Sequence, residues 1–204
     1  MKIGPKFMKP VRLVSCLIGV SVLLASCEDG RRAHSDRGTG RTLSPVLDIH
    51  TTPVTDLDVL FVIDNSGSMG EEQTSLAANF QRFIDVLDGI EGGLPNIHIG
   101  VVSSNVGVGP YTITACGDGD GGGRLQSVPR AACDGPTDAF IADLRGTAPG
   151  ERLRNYPLSQ TMAETFGCIA KLGTTGCGFE QHFESMKRAL DGTNPENAGF
   201  LRPD

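Results

Sequence analysis

Residues 56–70 read D-L-D-V-L-F-V-I-D-N-S-G-S-M-G, and no other stretch narrows the possible folds so far. Residues 57–63 are a near-continuous run of β-formers, with Val59, Leu60, Phe61, Val62 and Ile63 in succession. Such a run suits a strand buried on both faces at the centre of a parallel sheet. It stops at Asp64, gives way to Asn65, Ser66, Gly67 and Ser68, and a helical pattern begins near Gly70. One carboxylate and two hydroxyls therefore occupy the turn between a strand's carboxyl end and a helix start. That crevice is where open α/β sheets place their ligands.

The next elements follow the same rhythm. Over 71–88 the apolar positions Leu76, Phe80, Phe83, Ile84 and Leu87 recur at helical spacing. Gly89, Gly92, Gly93 and Pro95 then turn the chain. Residues 96–105, with Ile97, Ile99, Val101 and Val102 as their apolar body, predict a second strand, and His98 reads as a strand residue on a covered face. Strand, helix and strand at this spacing predict a right-handed βαβ unit with parallel strands. Further along, 158–172 predicts a helix with Met162, Phe166, Ile169 and Leu172 on one face. A last helix is expected over 179–190, with Phe183, Met186, Ala189 and Leu190 turned inward and His182 exposed.

Residues 107–150 break the rhythm. They are rich in Gly and Pro, and Thr112–Thr114 is the one short strand expected there. Asp118-Gly119-Asp120-Gly121-Gly122 has the look of a calcium loop but lacks the downstream bidentate glutamate of an EF-hand. A long insertion in a compact domain is commonly functional or cross-linked. Besides Cys16 and Cys27, the chain has Cys116, Cys133, Cys168 and Cys177. Four cysteines allow three pairings. Cys116–Cys133 and Cys168–Cys177 are favoured because each closes a short loop around Gly-rich sequence. Zinc ligation is the competing reading, without CxxC spacing or a suitable histidine to support it.

The amino end is a targeting segment. Lys2, Lys6, Lys9 and Arg12 form a positive region ahead of a short apolar stretch over 13–25. Leu24-Ala25-Ser26-Cys27 resembles the bacterial lipoprotein lipobox. The resemblance implies a signal peptide over 1–26, cleavage before Cys27, and acylation of Cys27 as a membrane anchor in the cell envelope, on a periplasmic or surface face. An ordinary cleaved signal is the alternative. Residues 27–55 then read as a flexible polar tether. The formal net charge of −6 argues against a nucleic-acid partner.

Asp64, Ser66 and Ser68, as D-x-S-x-S after a buried strand, resemble the opening of the metal-ion-dependent adhesion site of the von Willebrand factor A (VWA) family. The resemblance implies an α/β, Rossmann-like, doubly wound and mostly parallel sheet over 56–204, with 107–150 as an insertion. It implies Mg²⁺ (Mn²⁺ or Ca²⁺ as substitutes) held directly by Ser66 and Ser68 and through water by Asp64. Gly173-Thr174-Thr175-Gly176-Cys177-Gly178-Phe179-Glu180-Gln181 resembles a subgroup of bacterial VWA lipoproteins, in which Thr174 rather than Thr175 matches a further metal ligand. The family pattern continues past residue 204 with another buried strand ending in a metal-site aspartate; Asp204 lies before that strand and is not assigned the role. So the resemblance covers the amino-terminal part of a VWA domain, and a short chain of this kind is expected to bind metal weakly.

The function implied is recognition of a protein partner that supplies a carboxylate to the metal. Catalysis is not expected, since Ser66 and Ser68 lack a neighbouring histidine and a G-x-S-x-G elbow. Three other readings stand beside it. Ser66 and Ser68 would simply cap the helix; Asp64 would serve a phosphatase-like hydrolase, although that pattern needs an aspartate where Ser66 stands; or the chain would be a non-functional fragment.

Overall fold

The computed structural model describes residues 55–203 other than 115, 118 and 131. The signal segment, the tether up to residue 54 with Cys27, Asp118 and Asp204 lie outside the described residues. The elements are β1 (Asp56–Ile63), α1 (Gly70–Asp88), β2 (Asn96–Ser103), β3 (Ile141–Arg145), β4 (Arg152–Arg154), α2 (Met162–Ala170) and α3 (His182–Leu190), followed by a 3₁₀ turn, Pro195–Asn197.

The sheet is mixed, in the order β1-β2-β3-β4. β1 and β2 pair parallel from Asp56↔Asn96 to Ile63↔Ser103, as the βαβ reading requires. β3 pairs antiparallel with β2, and β4 antiparallel with β3. The sheet is thus α/β but mostly antiparallel, which corrects the expectation of a mostly parallel one. The cause lies within and just beyond the insertion. Residues 141–154 form a hairpin around Gly146, Pro149 and Gly150, and it adds to the free side of β2. Thr112–Thr114, by contrast, is not a strand.

β1 was expected at the sheet's centre, buried on both faces. Among the described residues it is an edge strand, as β4 is at the other side, and most of its side chains are only half-buried. Thr55 and Ile63 accept hydrogen bonds from Asn96 and Ser104 on the β2 side. Strand alternation then turns the N–H and C=O groups of Asp56, Asp58, Leu60 and Val62 to the open side.

Both faces of the sheet carry helices. On one, Leu57, Val59, Phe61 and Ile63 pack with Phe80, Ile84 and Leu87 of α1 and with Phe166 and Ile169 of α2. Phe80 and Phe166 stack with ring centroids 3.7 Å apart, and Phe61 meets Phe80 edge-on at 5.5 Å. On the other face Leu60, Val62 and Val102 pack with Ala189, Leu190, Phe140 and Phe200. Gly100 lets Phe200 lie flat on β2, since a Cβ there would sit 2.8 Å from the Phe200 ring.

α2 begins four residues later than the periodicity suggests. Thr161 and Glu164 form a reciprocal capping box, and Leu158 stays largely exposed. The Thr161 N–H holds the Glu164 carboxyl below its usual range. α3 begins at His182 and meets the expectation in part: Ala189 is buried and Leu190 packs on the core as expected, whereas Ser185 is buried and Phe183 and Met186 are exposed.

Two polar clusters lock the sheet. Asp143 is buried, pairs with Arg152 Nε at 2.7 Å and accepts a hydrogen bond from the Tyr156 hydroxyl. Burial, and then that bond to Asp143, pushes the Tyr156 hydroxyl well above the usual tyrosine range. At the strand starts, Arg202 donates to Asp58 (2.6 Å) and Asp56 (3.1 Å), and buried His98 lies 3.3 Å from Asp58.

The disulfides are Cys116–Cys177 and Cys133–Cys168. This corrects the favoured pairing of neighbours and leaves no sulfur of the four for zinc. The short loops are not the ones closed, because the fold lays the insertion across α2 and the 173–178 loop. The Arg130 N–H donates to the Cys168 carbonyl at 3.0 Å, which brings the chain beside Cys133 onto α2.

Candidate metal centre

The turn after β1 is shaped by its own polar groups. Asp64 Oδ1 accepts the Ser66 N–H at 2.8 Å, an aspartate turn of the usual i to i+2 kind. The Met69 N–H then donates to the Ser66 carbonyl at 3.1 Å, and α1 starts at Gly70. The helix-cap reading of the serines does not hold, because Met69 takes the N-cap position without any side-chain hydrogen bond. Ser66 is largely buried and Ser68 exposed, both in the turn that follows Asp64.

A residue that periodicity reads as an ordinary helix position brings in the distant loop. Gln73 of α1, only 4 % exposed, donates to the carbonyls of Asp64 (2.8 Å) and Gly173 (2.9 Å). Its Oε1 accepts the Gly173 N–H at 3.0 Å. The Gly176 N–H adds a bond to the Asn65 carbonyl at 2.9 Å. Gly176 is required there, because a Cβ would run into the Asn65 side chain. These contacts set Thr174 against the helix start: its Cγ2 is 3.3 Å from where a Gly70 Cβ would stand. Thr174, distant in sequence, is thereby brought beside the turn that carries Asp64, Ser66 and Ser68.

Behind the turn is a buried polar layer. Asn65 Nδ2 donates to Asp120 Oδ2 at 2.5 Å, and Ser103 Oγ donates to the same oxygen at 2.8 Å. Ser104 Oγ donates to Asp64 Oδ1 at 3.4 Å. Asp120 comes from the D-G-D-G-G segment, and its carboxylate fixes Asn65. Gln73, Asn65, Ser103, Ser104 and Asp120 were absent from the sequence-derived site. Gln73 alone left a usable signal, a polar side chain in register with Leu76 and Phe80 on the core stripe.

No protein family, curated protein or solved structure matches this chain.

Among the described residues no three His, Cys, Asp or Glu side chains converge to hold a metal ion. The turn and the neighbouring loop carry a carboxylate at Asp64 and hydroxyl side chains at Ser66, Ser68 and Thr174, the last with its methyl turned toward Gly70. Hard oxygen donors of this kind fit Mg²⁺, which keeps several waters and needs few protein ligands. One Asp64 oxygen is committed to the Ser66 amide, which orients the other. A hollow of about 320 Å³ opens beside Asp64, with Gln73, Glu72 and exposed His182 in its lining.

Proposed function

We propose that residues 56–203 form a VWA-like recognition module, held at a bacterial cell envelope through an acylated Cys27, and that it binds a protein partner with the help of Mg²⁺. The observation that carries this reading is the Gln73 bridge, which sets Thr174 beside the Asp64, Ser66 and Ser68 turn. Asp64, Ser66, Ser68 and Thr174 are the residues that would hold the cation. When bound, the cation supplies a positive centre that accepts a carboxylate from the partner. Asp64 is the single carboxylate of this set, so the charge is left largely uncompensated and the site weak until the partner's own carboxylate arrives. The buried Asn65, Ser103 and Asp120 layer holds the turn rigid from behind. A doubly wound VWA topology belongs to the same proposal.

The test is Mn²⁺ binding to the detergent-solubilised chain, followed by electron paramagnetic resonance. One Mn²⁺ per chain, displaced by Mg²⁺, is expected. Asp64→Ala is expected to abolish it, and Ser66→Ala and Thr174→Ala to weaken it about tenfold, a loss of about 1.4 kcal/mol. Unchanged Mn²⁺ binding in Asp64→Ala would overturn the assignment. Intact mass of the membrane-extracted chain tests the anchor separately: acyl mass on Cys27, lost in Cys27→Ala, is the expected result.

A further inference from the structure

The two disulfides differ in what can reach them. Cys116 and Cys177 are only 4 % and 0 % exposed. Cys133 is partly exposed and, with buried Cys168, lines a hollow of about 750 Å³ walled by α1 and α2. Small residues at Ala77, Ala78, Ala163 and Gly167 leave that room open. The charged residues of its lining, Glu164 and Lys171, are opposite in sign, so access and not charge sets this disulfide apart. Exposed disulfides are the ones that exchange with thiols.

Cys133 sits in a strap with little else to hold it. The strap leaves the sheet after Gln126, whose N–H donates to the Val101 carbonyl at 2.7 Å, and returns at Thr137, whose N–H donates to the Asn155 carbonyl at 2.8 Å. Between these points, no described residue of 127–136 belongs to either apolar core, and Val128 is exposed. Polar contacts with the α2 side come from two residues. Arg130 donates from its N–H to the Cys168 carbonyl at 3.0 Å and from its guanidinium to the Leu172 carbonyl at 2.5 Å. The Asp134 backbone exchanges two hydrogen bonds of 2.9 Å with the Gln160 side chain at the surface. A segment with so few buried apolar contacts can open by itself while the rest of the fold persists. Its one covalent tie is Cys133 to Cys168.

We propose that Cys133–Cys168 is a thiol–disulfide exchange site that takes a dithiol, and that its reduction releases the 127–136 strap while the sheet stays folded. A thiolate of the dithiol enters the hollow and bonds to Cys133 Sγ, the more accessible sulfur. The Cys133–Cys168 bond breaks, and its electron pair leaves on Cys168 Sγ, which takes a proton from water. The second thiol of the reagent, deprotonated, then bonds to the reagent sulfur joined to Cys133. Cys133 departs as a thiolate and is protonated in turn. Two protein cysteines are thus reduced and the dithiol is oxidised to its disulfide, with two electrons and two protons passing between them. Arg130 then gives up its hold on Leu172, the residue before the Gly173 loop. Nothing in this exchange depends on a bound cation.

The experiment treats the full chain, folded in detergent, with dithiothreitol, stops the reaction at intervals with iodoacetamide and maps the alkylated peptides. Cys133 and Cys168 are expected to be labelled together, at least tenfold faster than Cys116 and Cys177. Equal rates, or earlier labelling of Cys116 and Cys177, would overturn the exchange site. Glutathione, a monothiol, should be caught as a mixed disulfide on Cys133, and an adduct on Cys168 would overturn the direction of attack. Hydrogen exchange reads the release, both in the chain reduced at these two cysteines and in the Cys133→Ser, Cys168→Ser double variant. The Arg130 and Asp134 amides should lose their protection while the amides of β2 remain protected. Strap amides that stay protected, or β2 amides that exchange along with them, would overturn the release.

Discussion

Replacing Gln73 with Met tests the bridge on which the candidate site depends. Met keeps the length and most of the volume of the side chain but removes two N–H donors and one acceptor oxygen. Three hydrogen bonds are lost, two from Nε2 to the Asp64 and Gly173 carbonyls and one from the Gly173 N–H to Oε1. Each contributes about 0.5–1.5 kcal/mol net, so the full loss lies at about 1.5–4.5 kcal/mol. Gly173 itself is exposed, and water can replace the partner there, which brings the expected loss down to about 2 kcal/mol. Urea unfolding followed by far-UV circular dichroism gives that figure, as the chain has no Trp to report. Hydrogen exchange supplies the local readout: the Gly173 amide should lose its protection while amides in β2 fall only by the global loss. Mn²⁺ affinity should drop with it, since Thr174 is no longer held against Gly70. A Gln73→Met variant with a protected Gly173 amide and unchanged Mn²⁺ affinity would refute the idea that Gln73 holds this loop in place.

Three further outcomes follow from the packing. The Tyr156 hydroxyl is raised by burial and by Asp143, so its contribution to stability is complete below the unfolded value of about pH 10 and is lost as pH rises beyond it. The urea midpoint should therefore fall between pH 10 and 11 and fall less in Tyr156→Phe; identical slopes would contradict this. Non-reducing peptide mapping should recover Cys116 with Cys177 and Cys133 with Cys168, and the Cys133→Ala, Cys168→Ala pair, which opens a loop of sequence separation 35, should destabilise by about 4 kcal/mol. Gly100→Ala sets a methyl 2.8 Å from the buried Phe200 ring and should cost about 1–3 kcal/mol in the same unfolding assay, while a neutral result would mean that Phe200 can shift.

The βαβ unit was legible because its signals are local. The apolar run before Asp64, the 3.6-residue stripe of α1 and the strand at Asn96 are each read from neighbours, and the parallel pairing follows from the connection. The D-x-S-x-S turn was legible for the same reason. What failed was long-range. Whether β1 sits at the centre or edge of the sheet depends on which elements reach it, and the run Val59–Leu60–Phe61–Val62–Ile63 looks alike in both places. The β3–β4 hairpin hides within Gly- and Pro-rich sequence, and its central Asp143 is tolerable in a buried strand only because Arg152 and Tyr156 answer it. Disulfide partners were misjudged because closeness in sequence stood in for closeness in space. Thr174 was proposed by resemblance, whereas the contact that holds its loop, Gln73 to Gly173, spans 100 residues, and its partner could not be read locally.

The open side of β1 bears on how the molecule behaves in a crowd. An unpaired row of backbone groups is a template on which another extended chain can crystallise. Acidic side chains act as gatekeepers against that only near the start of the strand, at Asp56 and Asp58, and Arg202 neutralises part of their charge. Among the described residues, the stretch from Val59 to Ile63 has no such guard. Removal of residues 1–26, which hold four cations and no carboxylate, takes the formal net charge from −6 to −10, and the repulsion this creates helps keep copies apart. Salt, by screening it, would turn a well-behaved solution into a seeded one.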